Sequence, residues 1–67
     1  MNLTTQIIRY EADELTDIEV LELFAELIKT GMAWKLQGSY GRMAIALINA
    51  GYIDRKGNIM KGVKDNE

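Results

Sequence analysis

The chain has 67 residues, a mean hydropathy of −0.11, 48% hydrophobic and 27% charged residues, and a net charge of −2. It contains neither Cys nor His, which excludes disulfides, removes the usual ligands of structural zinc, and takes away the usual base that activates a Ser or Cys nucleophile. Its longest apolar run, Met43 to Ile48, is far too short to span a membrane.

The N-terminal segment shows no basic n-region followed by an apolar h-region, so no signal peptide is expected and cytoplasmic residence is the default. Ile7, Ile8 and Tyr10 mark the first element, residues 4–12, read as a short helix with a strand as the rival. The second element is sharper. Thr16 followed by Glu19 fits a capping box, and Leu15 ahead of the cap can staple onto Val20 or Leu21. Val20, Leu23, Phe24, Leu27 and Ile28 recur at helical spacing, and Gly31 suits a left-handed stop, which predicts a helix over Asp17–Thr30.

Residues 32–38 fit either a strand, through alternating Trp34 and Leu36, or a helical turn, through Met32, Ala33 and Leu36. Ser39 is then a reasonable N-cap for a helix over residues 40–50, whose Tyr40, Met43, Ala44, Leu47 and Ile48 follow the helical template, with Gly51 as the stop. That helix carries one charge, Arg42. Ile45 and Ala46 make even its far side apolar, so it is expected to be covered on most sides by the fold or by a partner. Beyond it, Tyr52-Ile53 and Ile59-Met60 flank Asp54-Arg55-Lys56-Gly57, the pattern of a small hairpin with Gly57 in the left-handed position. The fold class is therefore mainly α: a small three-helix domain with a short C-terminal β-hairpin or turn, one domain over residues 1–61, and a polar tail over residues 62–67.

Residues 27–31, 34–44, 47–48 and 51–53 together form the pattern TG..W.LQG.YGR.A..LI..G. This pattern, within residues 7–53, resembles a group of very small phage and prophage proteins. The resemblance implies a phage origin and a host-directed or regulatory role. It implies no activity and no binding residues, and residues 54–67 fall outside it.

Charge is unevenly divided. Residues 1–34 hold two basic and seven acidic side chains, whereas residues 35–67 hold six basic and three acidic. Such a split favours self-association or a basic face for an anion, against the plain reading of an unevenly charged solvated surface. Glu19, Glu22 and Glu26 read as a solvated helix face rather than paired catalytic acids. The cluster Glu11, Asp13, Glu14 and Asp17 is the one candidate for an oxygen-only cation site, and a solvated cluster is the better reading. Gly38-Ser39-Tyr40-Gly41-Arg42 opens a helix and lacks the Walker spacing. Its glycines read as a turn at Gly38 and close helix packing at Gly41, with anion contact the rival. Trp34 is expected in the core, with an exposed partner anchor as its alternative.

These residues point away from an enzyme and toward binding. A small domain draws only about 3–5 kcal/mol from its core, so a protein partner or a second copy is expected to supply the rest. The expected contact residues are Trp34, Gln37, Tyr40, Arg42 and Ile45, with no cofactor, no metal and no membrane. The rival is a winged-helix-like DNA-binding regulator using Arg42, Arg55, Lys56 and Lys61 on phosphates and bases. Against it stand the scarcely polar outer face of the 40–50 helix and the acidic first half of the chain.

Overall fold

The computed structural model describes residues 3–60. They form α1 (Leu3–Glu11), α2 (Asp17–Thr30), a 3-10 turn at Met32–Trp34, α3 (Gly38–Asn49) and one isolated antiparallel bridge between Ile53 and Ile59. α1 packs on α2, and the 3-10 turn touches both α2 and α3.

α2 is the axis of the fold, and its ends are set by local chemistry. The Thr16 hydroxyl accepts from the Glu19 amide at 3.2 Å while the Glu19 carboxylate accepts from the Thr16 amide at 2.9 Å. This reciprocal cap satisfies two amides that an uncapped helix leaves to solvent. The bond from the Thr16 amide, helped by Arg9 at 3.8 Å, holds the Glu19 carboxyl below its ordinary range. At the other end Gly31 turns left-handed, with φ +83°, and its amide reaches the Ile28 carbonyl. Between these stops Leu21, Leu23, Phe24, Ala25, Leu27 and Ile28 are buried, and they make up most of the core.

The choice between helix and strand for the first element resolves to a helix. Leu3, Ile7 and Tyr10 share one helical stripe and pack on the core, as does Leu15 before the cap. Gln6 is buried beside that stripe, and its side-chain oxygen accepts from Arg9 at 3.4 Å. Three rings join three helices. Tyr10 of α1 meets Phe24 of α2 edge-on at 5.3 Å, and Tyr40 of α3 lies 5.7 Å from Tyr10 and 6.1 Å from Phe24.

The Tyr40 hydroxyl donates to Glu11 Oε2 at 2.6 Å, fastening α3 to the end of α1. Burial of the phenol, reinforced by that bond to a carboxylate, pushes its pKa up to about 12 from 10.0. Because the folded value lies above the unfolded one, the associated stability is complete below pH 10 and is lost as pH rises toward about 12. Tyr40→Phe is therefore expected to cost about 1–2 kcal/mol at neutral pH, from the lost charge-assisted bond. It should also flatten the alkaline fall in stability. Chemical denaturation at a series of pH values checks both; an unchanged alkaline limb in the variant would place the titrating group elsewhere.

α3 departs from expectation at its start. It begins at Gly38, its N-cap is Gln37, and no side chain caps it. Ser39 therefore lies inside the helix rather than at its cap. The reason is the preceding turn. The amides of Lys35 and Leu36 both bond to the Met32 carbonyl, and the Gln37 carbonyl is left to accept the first α3 bond, from Tyr40 at 2.9 Å. Gly38 is not left-handed either, so its role as a turn glycine is not seen. A Cβ on Gly41 would meet Ala33 O at 3.6 Å and Trp34 Cε3 at 3.7 Å, ordinary contacts that make Gly41 close-packed without requiring glycine.

The fold itself leaves the far side of α3 uncovered. Tyr40 and Ala44 are buried, while Ile45 and Ala46 stay exposed. After α3, Gly51 reverses the chain at φ +84° and Ile53 drops into the core. The expected hairpin contracts to one bridge around a tight turn, with no strand among the described residues. Asp54 organises the turn. Its carboxylate accepts from the amides of Lys56 and Asn58, each at 2.9 Å, and from Asn58 Nδ2 at 3.0 Å. Those bonds, led by the Asn58 amide, hold its carboxyl below the ordinary range. Lys61 and the expected tail at residues 62–67 lie outside the described residues.

Candidate interaction surface

The face of α3 turned away from α2 carries the most distinctive surface of the molecule. Trp34, Ile45, Ile48, Asn49 and Arg55 line a shallow groove of about 310 Å³. Three elements build it: the 3-10 turn supplies Trp34, α3 supplies one helical stripe, and the C-terminal turn supplies Arg55. Trp34 and Ile45 are each 50% exposed, although both are large apolar side chains that a closed fold would hide.

Trp34 was expected in the core, and the structure places it outside. The 3-10 turn allots the inward position to Ala33, which is 1% exposed, and the neighbouring indole is left over Gly41 on the surface. Phe24 fills the centre instead, as the largest fully buried side chain. Among the other expected contact residues, Ile45 joins Trp34 in the groove. Gln37 is exposed at the N-cap of α3. Arg42 is exposed but bends toward the helix start, where its Nη1 would lie 3.3 Å from a Cβ on Gly38. Tyr40 does not belong to the surface at all; it is 5% exposed and bonded to Glu11. Ile48 and Asn49 complete the groove; Ile48 is half-buried and packs against the core, as its spacing predicts, while also lining the groove, and the exposed Asn49 was not among the expected protein contacts. The signal was present in the spacing, since residues 45, 48 and 49 share one helical stripe.

The groove carries one cation, Arg55. Among the described residues no carboxylate lines it and Arg55 forms no ion pair, the one ion pair there being Arg9–Glu19. Lys35 and Lys56, next in the chain to Trp34 and Arg55, are exposed as well. The nearest acid in sequence, Asp54, spends its carboxylate on its own turn.

Elsewhere, a cleft of about 430 Å³ between α1 and α2 is lined by Leu3, Gln6, Glu22, Leu23 and Glu26. Among the described residues no group of three or more Asp or Glu side chains is arranged to hold a metal ion, the Glu11–Asp17 cluster included. No helix of the described residues is long and apolar enough to cross a membrane.

A family model described as a domain of unknown function, DUF7417, matches residues 1–66. The chain belongs to this family. The match takes in residues 54–66, including the Asp54–Gly57 turn that the phage-protein resemblance left out. No curated protein and no solved structure matches the chain. The family description names no activity.

Proposed function

We propose that the chain is a non-enzymatic interaction protein of phage type, acting in the host cytoplasm, that binds a protein partner or its own copies through the Trp34–Ile45 groove. The observation that carries this reading is the exposure of Trp34 and Ile45 side by side in one groove. A helix face this apolar costs free energy in water, about 25 cal/mol for each Å² left uncovered, and a partner recovers it. Trp is also the residue type that most often dominates binding energy at interfaces. The phage origin is supported by the resemblance carried by residues 27–53.

Ile45→Asp tests the reading. Ile45 is half exposed, so the variant should stay folded, with stability changed by less than about 1 kcal/mol. Binding should fall at least tenfold, read by the emission of Trp34, the sole Trp, and by capture from bacterial lysate. A folded variant that captures the same protein as the wild type removes the groove from the argument.

Duplex DNA is the weaker alternative. Arg42, Arg55 and Lys56 are exposed, as a phosphate contact needs. The stripe that would enter a groove nevertheless presents Ile45 and Ala46 beside a single cation, Arg42, too little to read base edges. Capture from bacterial lysate that disappears with nuclease treatment would favour DNA over a protein.

A further inference from the structure

Apart from Trp34 and Ile45, the described surface exposes Ile8, Ile18, Ile59 and Met60, and of these Ile18 stands in surroundings opposite in charge to the groove. Ile18, in the first turn of α2, is 50% exposed. Asp17 precedes it, Glu22 follows one turn later on the same stripe, and Glu14 stands just before the cap; all three are exposed. None of the three carboxylates has a cationic partner among the described residues. Ile18 does not line the groove formed by Trp34, Ile45 and Arg55. One chain thus carries an apolar knob flanked by unpaired acids and an apolar groove whose one charged lining residue is the unpaired cation Arg55. Ile8 and Met60 are more exposed than Ile18. Ile8, however, is flanked on its helix face by Thr4, Thr5 and Ala12 with Glu11 alone acidic, and Met60 has no acidic flank among the described residues.

We propose that the occupant of the groove is a second copy of the chain, entering with Ile18 between Trp34 and Ile45 and setting Asp17 and Glu22 against Arg55. The proposal rests on the reading of the groove as a binding face. The contact is heterologous: each copy offers a knob to one neighbour and a groove to another. Opposite unpaired charges bring the copies together and fix their orientation, and the apolar contact at the centre supplies affinity. A stable interface buries roughly 800 Å² on each side, about a sixth of the 4657 Å² that the chain exposes. A knob and shallow groove fall at the lower end of that scale, so association is reversible and weakens as salt screens the rim.

Complementation between two variants tests this geometry. Ile18→Asp keeps the groove and loses the knob, while Ile45→Asp keeps the knob and loses the groove. In sedimentation at rising concentration, the wild type should gain mass and each variant alone should remain a single chain. An equimolar mixture of the two should form a species of two chains, because one intact knob meets one intact groove and both ends are then closed. Arg55→Glu, a change at an exposed turn residue, substitutes for Ile45→Asp should the latter lose helix, and should likewise be complemented by Ile18→Asp. A mixture that stays single, a wild type that stays single at every concentration, or an Ile18→Asp variant that associates like the wild type overturns the proposal. If the wild type stays single while Ile45→Asp abolishes capture of a lysate protein, the groove reading stands and the second copy is excluded. If Ile45→Asp associates and captures like the wild type, the groove reading falls with it.

Discussion

Gly57→Ala is expected to destabilise the domain by about 3 kcal/mol, from two penalties that act together. The first is conformational. Gly57 sits at φ +94°, where an L side chain crowds its own backbone. The second is steric. A Cβ there would lie 2.6 Å from the Ala25 carbonyl oxygen and 2.9 Å from both the amide nitrogen and the Cβ of Lys29. Those are atoms of α2 itself, so relief requires the turn to lift off the helix. Lifting it would pull on Ile53, which is 1% exposed in the core. Against a core worth about 3–5 kcal/mol, this loss should leave much of the protein unfolded. Gly31 and Gly51 are the controls. They share the positive φ, at +83° and +84°, but a Cβ on either meets nothing within 4 Å. Alanine at either should cost only about 1 kcal/mol, the conformational part alone. Denaturant titration followed by circular dichroism compares the three. Equal losses would mean that the turn does not rest on α2.

What was legible in the sequence followed locality. The α2 cap, the left-handed stops at Gly31 and Gly51, and the left-handed Gly57 are decided by residues a few positions apart, and the structure shows all of them. The start of α3 was misplaced because Ser39 offers a plausible cap while the carbonyl of Gln37, fixed by the preceding 3-10 turn, takes the first bond. Trp34 was misplaced for a similar reason: size suggested the core, but a three-residue turn put Ala33 inward and left the indole outside. The bond from Tyr40 to Glu11 joins residues 29 positions apart, and no spacing rule announces it. The groove shares this character. Its residues come from three elements, and only their packing brings Arg55 beside Ile45. Periodicity had marked Ile45 as surplus to the core, which is why it stood among the expected contact residues.

Phe24→Ala is the second change expected to be severe, with a loss of about 3–5 kcal/mol from removed contacts and the cavity left behind. Phe24 is fully buried and its ring touches both tyrosines, 5.3 Å from Tyr10 and 6.1 Å from Tyr40. Its removal detaches α1 and α3 from α2 at their common point. Helices this short do not persist alone in water, so the helical signal should fall together with the tertiary signal of the aromatic rings. A variant that kept full helicity and cooperative unfolding would show that the three rings do not form the joint between the helices. The comparison with Ile45→Asp is informative because the two sites differ in kind. Ile45 lies on the same helix as Tyr40, yet on the exposed stripe rather than the buried one. Loss of stability with Phe24→Ala, set beside loss of association at unchanged stability with Ile45→Asp, would separate the ring cluster where α2 meets Tyr40 of α3, which holds the fold, from the outer face of α3, which meets a partner.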